Sequence, residues 1–409
     1  MKSPLRLLAL CAVPAAFLAS PDSEPDLTVS FTGDIRGYLS PCGCSKPQIG
    51  GLLRMASVIR GLKSAPNTLF VDLGNWTQAT GRQDELKADA IAETFASLKP
   101  DYLNVGPLDL QLSEGQLASL AEATKGALDS SNAILPGVLA NREGRDVAGK
   151  AWIQGLVPDG AARATVTPPA TVLSPRSGRA HIVLFAGPKD AAFRLARSLG
   201  PGSLLIYSSQ GDPTRTPDIV GGATLVSLGD KGRYVGKATR TNGKWEIEFL
   251  ELGPERPDDH EATTAYRSYL NRVGEERLLA AMPRLQKGTL FVGSAVCGGC
   301  HVKEYNVWLK TAHAKALTTL EKTGNDKDPE CVGCHVVGLT YREGFMDKSK
   351  TPDLAHVGCE SCHVAGGKHV RNVSERASVH ADATSCASCH VPEHSPGFDF
   401  QKYWEKIKH

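Results

Sequence analysis

Short runs of β-branched and apolar residues, separated by glycine, proline and polar breaks, recur through the first two thirds of the chain. Leu27–Thr32 (LTVSFT), Thr68–Leu73 (TLFVDL) and Asp101–Val105 (DYLNV) read as strands, and His181–Ala186 (HIVLFA) and Ser203–Ser208 (SLLIYS) repeat the pattern. Between them the period changes. Leu86, Ala90, Ile91, Phe95 and Leu98 fall on one side of a helix over Gln83–Leu98, and Asp190–Ser198 is similarly helix-like. Strand alternating with helix predicts an α/β domain with a largely parallel sheet. From Ala223 to Leu252 strand-like stretches joined by glycine turns predict an antiparallel closing meander. A polar, proline-bounded break follows at Gly253–Asp259, then a helix from about His260 to Met282 that reads as a connector.

The two ends of the chain depart from this pattern. At the start, Lys2 and Arg6 precede an apolar run, Leu7–Leu18, and the small residues Ala19 and Ser20. That order predicts an export leader over residues 1–20, too short to remain as a membrane span. No other run is apolar and long enough to cross a bilayer. The expected organisation is therefore a leader (1–20), an α/β domain (26–253), a helical connector (254–292) and a distinct C-terminal segment (293–409), in a periplasmic or otherwise exported protein.

In that last segment one pentapeptide occurs four times: CGGCH (Cys297, Cys300, His301), CVGCH (Cys331, Cys334, His335), CESCH (Cys359, Cys362, His363) and CASCH (Cys386, Cys389, His390). With 11 cysteines and 12 histidines in 409 residues, chance supplies roughly 0.01 such pentapeptides in the whole chain. Two thiols of this spacing add across the vinyl groups of one haem, and the following imidazole reaches the iron. Structural zinc also uses paired cysteines, but it needs no histidine directly after each pair. The pattern predicts four covalently attached c-type haems. At roughly 29 residues for each motif the polypeptide is too short to build its own core. The macrocycles are expected to serve as that core, so stability should depend on their attachment.

His301, His335, His363 and His390 are the expected proximal iron ligands. Six further histidines lie beyond Gly293: His313, His356, His369, His380, His394 and His409. Ten of the 12 histidines in the chain fall in this segment, which argues that most serve iron or its surroundings. His313 follows the helix-like run EYNVWLKTAHAKAL, and His369 follows the Gly366-Gly367 turn; these two are favoured as distal ligands, with His356 next. His181 and His260, the histidines of the preceding region, read as packing or surface residues.

Bulk composition adds little. Hydrophobic residues make up 41% and charged residues 22%, and the net charge is +2. These values describe an ordinary folded protein and imply no nucleic-acid partner. Cysteine use is more informative. Outside the four motifs and Cys11 of the leader, only Cys42 and Cys44 remain, in SPCGCSK. They read as a structural pair, as possible redox thiols with Lys46 nearby, or as ligands to a metal or partner.

Two resemblances follow from these motifs. FTGDIRGYL (Phe31–Leu39), GGLLRMASVI (Gly50–Ile59), LFVDLGN (Leu69–Asn75), DYLNVGPLDL (Asp101–Leu110) and DIVGGATLVSLGDKGRYVG (Asp218–Gly236) resemble the metallophosphatase domain of periplasmic 5′-nucleotidases. That resemblance implies a two-sheet sandwich flanked by helices. The family's metal ligands are not reproduced. Arg36 stands two residues after Asp34 where the family has histidine, Gly74-Asn75 replaces Gly-Asp, Gly106-Pro107-Leu108-Asp109 replaces Gly-Asn-His-Glu, and Ser208-Ser209 and Gly221-Gly222-Ala223 lack histidine. A two-metal hydrolase needs several anionic or imidazole ligands, so this domain is expected to be catalytically inactive.

CGGCHVKEYNVWLKTAHAKAL, CVGCHVVGL and VGCESCHVAGG resemble the tetrahaem cytochrome c-554 family of ammonia-oxidising bacteria, over Ser294–Val370. The resemblance implies a mainly helical and irregular multihaem segment that carries electrons between periplasmic redox partners. It further implies three irons with two histidine ligands and an open side at the second motif. The expected function is electron relay, with the α/β domain as scaffold or docking surface, in a possible membrane-associated complex. The alternatives are a redox enzyme acting on a small nitrogen or sulfur species at an open iron or at Cys42/Cys44, and, last, an active phosphohydrolase.

Overall fold

The computed structural model describes residues 26–41, 48–139, 143–161, 164–375, 381–391, 394–395 and 397–409. The predicted leader, Cys11, Cys42, Cys44 and His380 lie outside the described residues.

The α/β region runs β1 (Leu27–Thr32), α1 (Leu52–Lys63), β2 (Thr68–Asp72), α2 (Arg82–Ser97), β3 (Tyr102–Asn104), α3 (Glu114–Ala123) and β4 (Leu128–Asp129). It continues with β5 (Ala133–Ile134), β6 (Arg145–Val147), β7 (Ala151–Leu156), β8 (Thr165–Val166), α4 (Pro169–Val172), β9 (Ala180–Phe185), α5 (Lys189–Ala196) and β10 (Leu204–Tyr207). It closes with β11 (Asp218–Val220), β12 (Ala223–Val226), β13 (Tyr234–Thr241), β14 (Lys244–Glu251) and α6 (His260–Glu275).

Among the described residues these strands form two six-stranded sheets, β14-β13-β1-β2-β3-β4 and β11-β12-β10-β9-β7-β6, with β5 and β8 paired apart. Each sheet has a run of four parallel strands, flanked by antiparallel strands on one side in the first sheet and on both sides in the second. In the first, β1, β2, β3 and β4 pair in parallel, while β13 runs antiparallel to β1. In the second, β7, β9, β10 and β12 are parallel, and β6 and β11 are the antiparallel edges. β1, β7 and β9 are buried along their whole length. β9 is apolar but for His181, whereas β1 alternates apolar residues with Thr28, Ser30 and Thr32, and Ser30 and Thr32 are paired to Leu69 O and Asp72.

The sheets pack face to face through Val29, Phe31, Val71, Ile153, Ile182, Leu184 and Ile206. Asn104 at the end of β3 joins them: its buried Nδ2 donates toward the carbonyls of Leu73, Leu156 and Leu184 at 3.1, 3.2 and 3.3 Å. The outer face of the first sheet is covered by α1, α2, α3 and α6 over a core containing Met55, Ile59, Phe70, Phe95 and Ile91. The outer face of the second sheet is covered by α5 over Val183, Leu205 and Leu225.

Two expectations need correction. The predicted closing meander is divided between sheets. β12 lies parallel to β10 in the second sheet, whereas β13 and β14 form a hairpin on the first. The apolar four-residue run of β12 carries no mark of its partner, so tertiary packing decided it. The helix predicted to reach Met282 stops at Glu275, because Arg277 is left-handed (φ 53°), and a short turn, Leu278–Ala281, resumes. α6 packs along α2, with Arg272 paired to Asp89 and Arg82 to Glu276.

Beyond Gly293 the chain makes short helical turns: Ser294–Gly298, Val302–Trp308, Ala316–Thr323, Pro329–Val332, Cys359–Cys362, Gly367–Arg371, Ala383–Ala387 and Phe400–Trp404. Their shared core is small: Leu317, Val332, Val336, Val337, Leu339, Phe345 and Leu354.

Candidate functional site

The loops at the carboxyl ends of β1, β2 and β3 are where a phosphatase-like domain of this topology would assemble its metals. Here Asn75 Nδ2 donates to Asp34 Oδ1 at 2.8 Å and faces Ser208 Oγ at 3.4 Å. The Arg36 guanidinium meets Asp34 Oδ1 at 3.4 Å. Burial pushes the Asp34 carboxyl up, opposed by its bonds to Asn75 and Arg36. Asp34 Oδ2 and Arg36 Nε are buried with no partner. Asp34, Arg36 and Asn75 all hold left-handed backbone (φ 50°, 51° and 60°), a strain that packing must sustain.

The framework around this point is intact. Asp109 accepts backbone N–H groups from Asn75, Trp76 and Gly106 at 2.7, 2.7 and 2.9 Å. Burial nevertheless pushes its carboxyl up to about 6. Gly74 has φ 95°, and a Cβ there would lie 2.5 Å from Gly106 N, so only glycine fits. The carboxylate that shapes the loops is present while ligand-type side chains are missing. Among the described residues no three His, Cys, Asp or Glu side chains converge as a metal centre in the α/β region. His181 is a buried packing residue: its Nε2 lies 2.9 Å from Gln154 Oε1, and burial pulls its pKa down to about 4.

The C-terminal segment is built differently. In three motifs a helical turn closes with an i to i−4 bond: the N–H of His301, His363 and His390 donates to the carbonyl of Cys297, Cys359 and Cys386, each at 2.9 Å. In the second, His335 N–H donates to Val332 O at 2.8 Å. A helical turn puts residues i, i+3 and i+4 on one face, so in the first, third and fourth motifs both thiols and the imidazole share a side, the arrangement that attachment to one haem would need. No two of the eight motif cysteines are joined as a disulfide.

The third motif is pinned by neighbours distant in sequence, the second by a local cap. Glu360, inside the third motif and 8% exposed, accepts N–H groups from Val292, Gly293 and Gly366. Gly367 must be glycine, because a Cβ there would meet Leu290 Cβ at 2.5 Å. Asp328 caps the turn of the second motif, accepting from Glu330 N at 2.9 Å.

Three motif histidines each face a histidine from outside the motifs. Ring centres of His301 and His369 lie 6.3 Å apart, those of His313 and His390 6.3 Å, and those of His363 and His409 6.1 Å. Two metal–nitrogen bonds of about 2 Å, plus about 1 Å from each nitrogen to its ring centre, give roughly 6 Å for two imidazoles on one ion. The spacing therefore fits a hexacoordinate iron between each pair. Burial lowers the pKa of His313 and of His390, favouring the neutral form that ligates metal.

His335 Nδ1 bonds Ala316 O at 2.7 Å, which orients its ring as a second-shell bond orients a ligand. His356 has left-handed backbone (φ 72°), and its Nδ1 accepts Leu317 N–H at 3.2 Å. The structure thus brings His313 and His369 to motif histidines, as the sequence favoured, and places His356 in a backbone contact instead. It adds His409, whose terminal position gave no signal of its proximity to His363.

The thiols also show which motifs adjoin. Cys297 and Cys359 hydrogen-bond each other, Cys389 bonds Cys334, and Cys362 lies beside Cys386. Apolar exposure points the same way. Leu290, Val296, Val302, Val307, Leu309 and Val364 are large hydrophobic side chains open to solvent around the motifs. Such a cluster is the surface a porphyrin would cover.

Comparison with known proteins agrees with this division. Residues 296–364 match the family cytochrome c554 and c-prime, which implies covalently bound c-type haem. Cytochrome c-554 of Nitrosomonas europaea is 38% identical over 91 residues, covering 19% of this chain and 39% of that protein. The chain therefore matches well under half the length of this relative. Over the α/β region the fold is that of 5′-nucleotidases. The 5′-nucleotidase precursor of Thermus thermophilus superposes with a TM-score of 0.51 at 18% identity, over 73% of this chain and 68% of that one. Sulfate thiohydrolase SoxB of Thermus thermophilus gives 0.51 at 14% identity, over 65% and 64%. The NAD nucleotidase of Haemophilus influenzae gives 0.50 at 14%, over 66% and 64%.

Proposed function

We propose that this chain is an exported tetrahaem c-type cytochrome that relays electrons between redox protein partners, with its phosphatase-like domain as a non-catalytic scaffold or docking surface. The observation that carries the reading is the set of three imidazole pairs at 6.1 to 6.3 Å, each joining a motif histidine to one outside the motifs. Covalent haem supplies a one-electron iron couple and, where a single imidazole reaches the metal, an open coordination position.

Each motif's cysteine pair anchors one macrocycle. His301 with His369, His390 with His313, and His363 with His409 are the residues that would hold an iron, and a pair of imidazole ligands would suit electron relay. By the likeness to cytochrome c-554, His335 is assigned as the single histidine ligand of its iron. Neighbouring thiols order the attachment points first, third, fourth, second, so electrons entering at one end of that series leave at the other. The leader-like residues 1–20 support export. Among the described residues no helix is long and apolar enough to cross a membrane.

Loss of phosphohydrolase activity is inferred from Arg36, Asn75 and Leu108 at positions where a two-metal site needs ligands. A second reading has one specific observation behind it. Tyr266 Oη bonds both Asn325 and Ser40, and Tyr266 lies close to Cys331. Ser40, two residues before Cys42 of the Cys42/Cys44 pair, is thereby held beside the second motif. On this reading His335's iron, with or without these thiols, reduces or oxidises a small nitrogen or sulfur species.

Haem counting with spin-state spectroscopy on the exported protein tests both. Four attached haems are expected, three low-spin and one high-spin, with no nucleotide hydrolysis on adding divalent metal. Fewer haems, or metal-dependent hydrolysis, would sink the first reading. A purely low-spin spectrum would sink the assignment of His335 as a single ligand and leave the second reading without an open iron.

A further inference from the structure

The contact between the two regions is polar and concentrated at one place. Lys87, on α2, is 7% exposed, and its Nζ lies 2.6 Å from both carboxylate oxygens of Glu330. Glu330 immediately precedes Cys331 in the helical turn of the second motif. Four residues before Lys87 on the same helix, Gln83 Nε2 donates to Asp328 Oδ1 at 2.7 Å, and Tyr269 on α6 donates to Asp328 Oδ2 at 2.8 Å. Asp328 is itself the cap of that turn. The aliphatic stem of Lys87 lies over the loop of the degenerate metal site. A Cβ added at Gly37, directly after Arg36, would come 3.1 Å from Lys87 Cδ and 3.4 Å from its Nζ.

A lysine this buried is uncommon, because withdrawing an ammonium from water is costly without an opposite charge beside it. Here the opposite charge comes from the other region of the chain. The pair itself is neutral, so the carboxylate left in that turn is Asp328, held by the neutral donors Gln83 and Tyr269. A charge near iron shifts its couple: a cation disfavours the ferric form and raises the midpoint potential, an anion lowers it. Lys87 is buried while the Glu330 side chain is 61% exposed, so solvent and salt screen the lysine's charge less than the carboxylate's, and the lysine is the charge felt more strongly at the iron.

We infer that Lys87 is a positioning residue for the second haem: paired with Glu330, it fixes the Cys331 turn against the degenerate metal site and balances the charge that sets that haem's potential. This rests on the cytochrome reading above. On it, the phosphatase-like fold contributes a buried cation and a rigid seat to one iron of the relay.

The test is potentiometric titration of the full-length exported protein, following the spin-state signal of the haem on Cys331 and Cys334. Lys87→Met leaves Glu330 unbalanced and should lower that potential, whereas Glu330→Gln leaves Lys87 unbalanced and should raise it. Lys87→Arg should keep the original value, and the exchange Lys87→Glu with Glu330→Lys should restore it in part. The other haems should move less. Opposite signs are the discriminating result, since merely loosening the contact would shift both single variants the same way. Shifts of one sign, or none, would overturn the assignment. Mass analysis of the same preparations separates the failures. Missing haem mass overturns the cytochrome reading and this inference with it, while full haem mass with unshifted potentials overturns only the role given to Lys87.

Discussion

The two regions of this chain solve the problem of a core in opposite ways. The α/β region buries Phe31, Phe70, Phe95, Trp76 and Tyr102 almost completely and satisfies its strands in two sheets. The C-terminal segment has a small shared core and leaves Val296, Val302, Leu309 and Val364 open. One region is held together by its own side chains; the other, on the function proposed above, would be completed by its haems. Their chemistry is inverted in the same sense. In the self-sufficient fold the site keeps Asp34 within the framework of Asp109 and Gly74, but among the described residues no three metal-ligand side chains converge there. In the segment proposed to hold haem, three of the four motif histidines face a second imidazole.

The sharpest way to break this comparison is to prevent haem attachment. Expressed without it, the segment beyond Gly293 should lose its protection from proteolysis and hydrogen exchange, while the α/β region keeps its own. Equal protection in both would refute the contrast. The next largest effect belongs to the α/β core. Phe95 packs edge-on against Phe70 and Trp76, with ring centres 5.1 and 5.5 Å away. Phe95→Ala should cost about 3–5 kcal/mol in denaturant unfolding of that region and leave the haem spectrum unchanged.

The smallest effect concerns pH. Asp72 is fully buried at the end of β2, accepting from Thr32 Oγ1 at 2.6 Å, Trp76 Nε1 at 2.6 Å and Gly74 N at 2.8 Å. Burial pushes its carboxyl from the usual 3.8 up to about 7. A folded-state pKa above the unfolded value means that the native form binds the extra proton. Stability therefore declines as pH rises from about 4 to about 7, then levels. Asp72→Asn should flatten that decline in thermal unfolding of the α/β region, because the Thr32 hydroxyl can turn to accept. An unchanged slope would show that Asp72 titrates as an ordinary carboxylate.

Legibility differed between the regions for the same physical reason. The haem motifs were readable because the pattern is local: Cys, Cys and His at i, i+3 and i+4 share one helical face whatever surrounds them. β1 was readable because its apolar and hydroxyl residues alternate with the period of a strand, and β9 and β10 because buried parallel strands are near-continuous apolar runs. β7 carries the same signature in Ala151–Leu156 (AWIQGL), yet no neighbouring helix marks it out. The sheet to which β12 belongs was not readable, since an apolar run does not name its partner.

Distal pairing lay at the limit. His313 and His369 stood out by their flanking helix and turn, but the approach of His409 to His363 spans 46 positions and depends on how the last helix returns. The amino-acid sequence by itself determined the four haem motifs, the missing phosphatase ligands and the class of each region, because those are matters of residue type at short range. Tertiary structure alone decided which imidazoles face each other, which sheet takes β12, and that Lys87 meets Glu330. Such contacts join residues far apart in the chain, and short-range pattern holds no record of the distances that folding closes.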